Sequence, residues 1–250
     1  YTQEEVNSHK CEAYWLRALA YFYIVRNWRD APLFTEPFET DEISYNVAKS
    51  SETEIIAQIK ADLEEAIRLG AAKTSFNTTW ETKGRATIWA IYALMTDVCM
   101  WNSDFEQAIN YANLILNATA SDAPRFMKTA THSSWFTIFN PGNSNESIFE
   151  LQWSHEKYQG TAQQTNNLPI LFDNTNDGRA YELSNQMLQD FNAEYRGIVL
   201  EYGEEAGDMA VRTMYGGYFV GSSAAAYTGA RAGYEWKYCD NLERSDDLSH

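Results

Sequence analysis

The residues with the clearest chemical potential lie in a polar, aromatic segment between Trp153 and Tyr181. Aromatic rings present apolar faces to the C–H bonds of a sugar ring, and amide side chains supply donors and acceptors for its hydroxyls. The segment therefore predicts a site for a neutral sugar. Trp153 and Tyr158 would stack on it, and the other candidates are Gln163, Gln164, Asn166, Asn167 and Tyr181. In the alternative interpretation, each aromatic ring only fills a gap in the protein interior.

Catalytic and metal-binding patterns are weaker than this one. The chain has no G-x-S-x-G motif, no glycine-rich phosphate loop, and four histidines without zinc-ligand spacing. A helical glycosidase needs an acid and a base on its loops, and the candidates here are Glu146, Glu150, Glu156 and Asp173. None of them falls in a recognisable motif. We predict a non-catalytic protein without a cofactor.

One run of acids begins like a calcium-binding loop. Asp173 and Asp177 occupy its first and fifth positions and Gly178 its sixth, but Ser184 stands where an EF-hand has a bidentate glutamate. A solvated turn is the simpler interpretation, so no metal site is predicted, and a weak calcium site remains the alternative.

The composition excludes several classes of partner. The 250 residues carry a formal net charge of −16, without a basic stripe to neutralise phosphates, which argues against nucleic acid and against anionic membrane surfaces. Cys11, Cys99 and Cys239 are far apart and form no metal-binding pattern. Cys11 and Cys99 fall on apolar helices, which predicts small buried side chains.

The strongest helical signal, which must organise the rest of the chain, runs from Ala13 to Pro32. Arg17 is the only charge between Glu12 and Arg26, so the helix is apolar on nearly every side and is predicted to be central and buried. It ends before Pro32, which lacks a backbone donor. Its helical spacing is carried by residues such as Trp15, Ala18, Leu19 and Phe22.

Three further helices are predicted before residue 118. Ser50 or Ser51 caps the second, which carries an apolar stripe from Ile55 to Leu69 and ends at Gly70. The third runs from about Thr82 to Trp101. The fourth runs from Phe105 to about Asn117, with its apolar face predicted to be inside: Ala108, Ile109, Ala112, Ile115 and Leu116. Small residues and the D-F-E-x-A-I-x-Y-A run make this pair typical of a tetratricopeptide hairpin.

Beyond residue 118 the periodicity fades. Residues 146 to 153 alternate like a strand, and the long Asn/Gln-rich loop follows. The predicted fold is mainly α, with tetratricopeptide-type helical hairpins and an irregular insertion containing short strands. Its organisation is a helical scaffold over residues 1–118 and an irregular, aromatic-rich ligand-binding region over residues 119–250, packed on the same domain.

Several of these runs resemble the SusD/RagB family of outer-membrane lipoproteins. LRALAYFYIVRNWRDAPLFTE (residues 16–36) is similar to its signature helix, with Arg29 where glycine is common. DFEQAINYA (residues 104–112) and NESIFE (residues 145–150) are similar to its tetratricopeptide helix and its following strand. The resemblance covers most of the chain to about Trp153.

The resemblance implies a non-catalytic surface protein that captures an oligosaccharide or polysaccharide for a SusC-like TonB-dependent transporter in the outer membrane. It places the ligand site in variable loops, which here correspond to the Trp153–Tyr181 segment. Since the family's N-terminal lipid anchor and C-terminal region are absent from these residues, we expect an internal segment of a longer protein. A tetratricopeptide adaptor that binds only protein and a helical glycosidase are the alternatives.

Overall fold

The computed structural model describes residues 1–37, 47–127, 138 and 142–152. Within them nearly all of the regular secondary structure is helical, which confirms the predicted mainly α class. The elements in chain order are α1 (Gln3–Trp28), β1 (Ala31–Pro32), β2 (Lys49–Ser50), α2 (Glu52–Arg68), α3 (Thr79–Gly84), α4 (Ile88–Trp101) and α5 (Phe105–Leu116). Helices α1 and α2 form one antiparallel hairpin, α4 and α5 form another, and α2 packs on α4 between them.

Helix α1 is longer than the apolar segment that predicted it. Thr2 caps it through a reciprocal pair of hydrogen bonds with Glu5, which satisfies backbone donors at the first turn. The helix ends at Trp28, and Arg29 follows with φ of 64° and ψ of −84°. This backbone conformation is unfavourable for a residue with a Cβ, which explains why the family pattern favours glycine here.

The prediction that α1 is a central, buried helix holds for one of its faces and is wrong for the other. One face holds the core, with Cys11, Ala18 and Val25 almost inaccessible to solvent. The opposite face carries Leu16 and Tyr23, which are 61% and 59% exposed. Apolar composition gives no information about which side neighbours will cover, and within the described residues α2 and α4 cover only one.

Helix α2 follows its predicted stripe closely. Ser51 and Glu54 form the expected capping box, and Gly70 reverses the chain with φ of 64°. Ile55, Ile59 and Leu63 are at most 1% exposed and occupy the centre of the core. These residues fix α2 between α1 and α4.

A buried carboxylate interrupts the apolar face of α2. Asp62 is 2% exposed and accepts two hydrogen bonds from Arg17 of α1, at 2.7 and 2.6 Å, and a third from Gln58 at 2.8 Å. Its charge is therefore paired rather than stranded. Arg17, which belongs to the signature pattern, therefore links α1 to α2.

The predicted third helix is two helices. Helix α3 ends at Gly84, and α4 begins after Thr87, whose hydroxyl accepts a hydrogen bond from Ala90 N–H at 3.3 Å. The N–H of Ile88 donates to Lys73 O at 2.9 Å instead of to a carbonyl of the preceding turn. The helix is interrupted between Gly84 and Ile88 because the Thr87 cap and this long-range hydrogen bond both compete with a continuous helix.

Helix α5 lies on α4 through Ala108, which is 2% exposed. The predicted burial of Ile109 and Leu116 was wrong, since they are 61% and 59% exposed, and Phe105 shares their exposed face at 56%. Asp104 does not cap α5 with its side chain but pairs with Lys60 of α2 at 3.0 Å. Phe105, Ile109 and Leu116 thus leave much of the apolar face of α5 exposed to solvent, although Tyr111 also packs against the core.

The chain forms two compact units. One contains Tyr1–Arg125 with Ser147–Glu150, and the other contains Phe126–Glu146 with Leu151–His250. In the first unit Cys11 and Cys99 are free and buried, as predicted, and burial raises the pKa of both thiols. None of the helices in the described residues is long and apolar enough to cross a membrane.

Candidate functional site

The sugar-binding residues predicted from the sequence fall outside the described residues. This holds for Trp153, Tyr158, Gln163, Gln164, Asn166, Asn167 and Tyr181, and equally for the acids Glu156 and Asp173 and the calcium-like run that Asp173 begins. Their roles therefore stay predictions. The structure describes the stretch that leads to them and the first compact unit, Tyr1–Arg125 with Ser147–Glu150, which contains α1 to α5 and is called the helical unit below.

The stretch that was predicted as a strand is not one. Residues 147–152 have no β partner, so the prediction of a strand over residues 146–153 was wrong for this part of it. Ile148 and Phe149 are consecutive, and both pack against the core of the helical unit, whereas a strand would turn one of them away. The ring of Phe149 lies 4.8 Å from that of Trp15, whose Nε1 donates to Ala90 O at 2.9 Å.

A buried lysine completes this attachment within the helical unit. Lys83 is 7% exposed, and its Nζ donates a hydrogen bond to Ser147 O. In return, Glu150 N–H donates to Lys83 O at 2.7 Å. Burial lowers the pKa of Lys83, and the nearby Glu150 carboxylate partly opposes this shift. The four residues from Ser147 to Glu150 are thus held by both side-chain and backbone bonds.

The helical unit also contains an open cleft on the flank of α1. Its volume is about 380 Å³, within the range of small-molecule sites. One wall is α1, and the other is the chain that leaves β1. The lining residues are Lys10, Ala13, Tyr14, Arg17, Phe34, Thr35, Glu36 and Pro37.

The far wall of the cleft is fixed by hydrogen bonds to α1. Phe34 N–H donates to Tyr21 Oη at 2.6 Å, and Arg17 Nη1 donates to Thr35 O at 2.7 Å. The pairing of Arg17 with Asp62 raises the pKa of the guanidinium and leaves it charged. Since Arg17 and Tyr21 are both residues of the signature pattern, that pattern shapes the cleft.

Sequence reasoning missed the cleft. Tyr14 reads as one more aromatic residue of an apolar helix, and Phe34 as part of a wrapping loop. The two come together because the chain turns back along α1 after β1, whose residues pair with β2 in the register Ala31 to Ser50. The sequence carries no clear signal for the cleft, because its two walls come from segments that no periodicity connects.

Two of the acids proposed for hydrolysis, Glu146 and Glu150, fall within the described residues. Glu146 accepts a hydrogen bond from Met127 N–H at 3.1 Å, within the second compact unit, while Glu150 belongs to the helical unit. No group of three His, Cys, Asp or Glu side chains with metal-binding geometry occurs in the part of the chain that is described.

Comparison with known proteins gives consistent matches. Residues 1–100 match the family model SusD-like_3, described as starch-binding associating with outer membrane. The chain is 27% identical over 172 residues to SusD-like protein P25 of Formosa agariphila, covering 66% of this chain and 30% of that protein. The chain thus spans less than a third of this curated relative.

Two solved structures share the fold. A laminarin-binding SusD-like protein is 20% identical with a TM-score of 0.66, and the match covers all of this chain and 55% of that one. A structure with a xylogluco-oligosaccharide is 21% identical with a TM-score of 0.58, over 78% of this chain and 40% of that one. The chain is thus similar to SusD-like proteins over its first 100 residues and shares the fold of these solved structures.

Proposed function

We propose that this protein captures an oligosaccharide or polysaccharide at the cell surface without cleaving it. The observation that carries the proposal is the match of residues 1–100 to a family described as starch-binding and associated with the outer membrane. The laminarin-binding and xylogluco-oligosaccharide structures of the same fold support a neutral glycan as the ligand class.

The proposed ligand site is the segment from Trp153 to Tyr181. Trp153 and Tyr158 stack on sugar rings, and Tyr181 is a further ligand-binding residue. Four amide side chains bind the hydroxyls: Gln163, Gln164, Asn166 and Asn167. The amino acids support this assignment by their chemistry alone. A formal net charge of −16 favours an uncharged ligand over an anionic one.

The proposed partner is a SusC-like TonB-dependent transporter, with an N-terminal lipid anchor holding the mature protein in the outer membrane. The helical unit offers an apolar surface for a protein partner, because Phe105, Ile109 and Leu116 of α5 are each more than half exposed. The same surface favours the second candidate function, a tetratricopeptide adaptor that binds protein only.

Affinity electrophoresis of the intact natural protein through gels containing starch, laminarin or xyloglucan tests the proposal. We expect at least one polysaccharide to retard the wild type, and Trp153→Ala to reduce that retardation. Trp28→Ala is the matched control, since Trp28 is 69% exposed on the helical unit and outside the proposed segment.

The outcomes separate the candidate functions. Retardation of Trp153→Ala equal to that of the wild type would retain glycan capture and reject the proposed segment. Free migration through every gel would reject capture of these glycans and favour the adaptor. The appearance of new reducing ends during long incubation with the polysaccharide would instead identify a hydrolase.

A further inference from the structure

We infer that the cleft between Tyr14 and Phe34 is a second sugar-binding position, for a neutral oligosaccharide chain. The inference rests on the proposed function, but its residues belong to the helical unit and not to the Trp153–Tyr181 segment. It is carried by the shape, the chemistry, the charge balance and the rigidity of the cleft.

The shape fits an extended ligand. A second hollow of about 370 Å³ adjoins the cleft and shares Lys10 and Ala13 with it. This hollow is lined further by Val6 and His9, one to two turns earlier on α1. From Val6 to Arg17 the helix rises about 16 Å. Two hollows side by side along one helix match a chain of linked sugars better than a single compact molecule.

The lining offers the groups that a sugar requires. The rings of Tyr14 and Phe34 supply apolar faces for sugar C–H bonds. The hydroxyls of Tyr14 and Thr35, together with the charged ends of Lys10 and Glu36, supply donors and acceptors for sugar hydroxyls. A few polar groups in a largely apolar hollow are the usual composition of a small-molecule site.

Among the described residues that line the cleft the charges balance, which favours a neutral ligand. Arg17 is already paired with Asp62 through hydrogen bonds of 2.7 and 2.6 Å. Of the remaining charged residues in the lining, Lys10 is a cation and Glu36 an anion. An anionic or cationic ligand would therefore meet no excess of opposite charge, whereas a neutral sugar can bond to both groups.

The cleft is held in shape before any ligand arrives. The bonds from Phe34 N–H to Tyr21 and from Arg17 to Thr35 O fix the wall that carries the Phe34 ring. The guanidinium of Arg17 also lies 5.5 Å from the centre of the Tyr14 ring. A ligand binding to fixed groups avoids most of the cost of ordering them.

The test uses the intact natural protein in gels containing the polysaccharide that retards the wild type most strongly among starch, laminarin and xyloglucan. We expect Tyr14→Ala to weaken the affinity about three- to tenfold, since one aromatic contact is lost. Phe34→Leu retains a bulky apolar side chain and the backbone N–H of residue 34 but removes the aromatic face, and should weaken binding similarly. Tyr23→Ala is the matched control, because Tyr23 is 59% exposed on the same helix and does not line the cleft.

The same substitutions are repeated with Trp153→Ala. If the cleft binds sugar, the weak retardation left by Trp153→Ala disappears when Tyr14→Ala or Phe34→Leu is added. If both cleft variants migrate like Tyr23→Ala in both backgrounds, the inference is overturned and the proposed function stands. If the wild type is retarded by none of the three polysaccharides, both are overturned.

Discussion

The α1–α2 and α4–α5 hairpins differ in what holds their two helices together. In the first, Ile55, Ile59 and Leu63 of α2 are at most 1% exposed, and Arg17 is bonded bidentately to Asp62 across the hairpin. In the second, Ala108 is the only residue of α5 that is buried. Asp104, immediately before α5, forms an ion pair with Lys60 of α2 rather than with a residue of α4.

This difference shows that an amphipathic pattern in a hairpin's sequence does not determine how much of its apolar surface is buried. Helix α5 is as clearly amphipathic as α2, yet much of its apolar face is in contact with solvent in this chain. An amphipathic pattern reports which face prefers burial, and only the neighbouring elements decide whether burial occurs. The first hairpin should therefore account for much more of the stability than the second.

The largest expected difference comes from a matched pair of leucines. Leu63→Ala in α2 should lower the free energy of unfolding by about 3 kcal/mol, because Leu63 is fully buried and its loss leaves a cavity. Leu116→Ala in α5 should change it by less than about 0.5 kcal/mol, because Leu116 is 59% exposed. Urea unfolding of the two variants measures both values. Equal losses would mean that α5 is covered in solution.

The two aspartates provide the next comparison. Asp62→Asn should cost about 2 kcal/mol, since it leaves the partly buried Arg17 charge without its partner. Asp104→Asn should cost about 0.5 kcal/mol, because Lys60 and Asp104 are each about a quarter to a third exposed. Urea unfolding at neutral pH measures the two costs, and a larger cost for Asp104→Asn would reverse the ranking of the hairpins.

The cost of Asp104→Asn has a defined pH dependence. The hydrogen bond to Asp104 raises the pKa of Lys60 above its ordinary value of 10.5. A raised lysine pKa means that the pair's contribution is fully present below 10.5 and is lost as the pH rises through the higher value of the folded state. Unfolding measured from neutral pH upwards should therefore show a constant cost for Asp104→Asn until the alkaline limit.

The features that sequence predicted well are those decided by neighbouring residues. The capping box of Ser51 and Glu54, the stop at Gly70 and the apolar stripe of α2 each depend on contacts within one helix and its ends. The break before α4 was missed because it depends on the bond from Ile88 N–H to Lys73 O, between residues that no periodicity connects. The exposed faces of α1 and α5 were missed for a similar reason.

The two candidate binding sites differ in the same way in how far the sequence predicts them. The sequence names residue types suited to sugars between Trp153 and Tyr181, and that prediction needs no geometry. The cleft could not be predicted, because it depends on the return of Phe34 and Thr35 along α1, which two hydrogen bonds fix. Residue types suited to a ligand can be identified from the sequence when they lie in one continuous segment, whereas a concave surface formed by two separate segments cannot.

The smallest expected effects separate the two turns that follow α1 and α4. Arg29 has φ of 64° and Ser103 has φ of 60°, values that glycine adopts without strain. Ser103→Gly should therefore stabilise the protein by about 0.5 kcal/mol in urea unfolding.

Arg29→Gly should be close to neutral. The relief of backbone strain is offset by loss of the Arg29–Glu52 ion pair at 2.8 Å and of the stacking on Trp101 at 5.0 Å. Arg29→Ala is the control, since it loses the same contacts and keeps the strain. It should be about 1 kcal/mol less stable than Arg29→Gly, and equal stability of these two variants would show that the turn after α1 is unstrained.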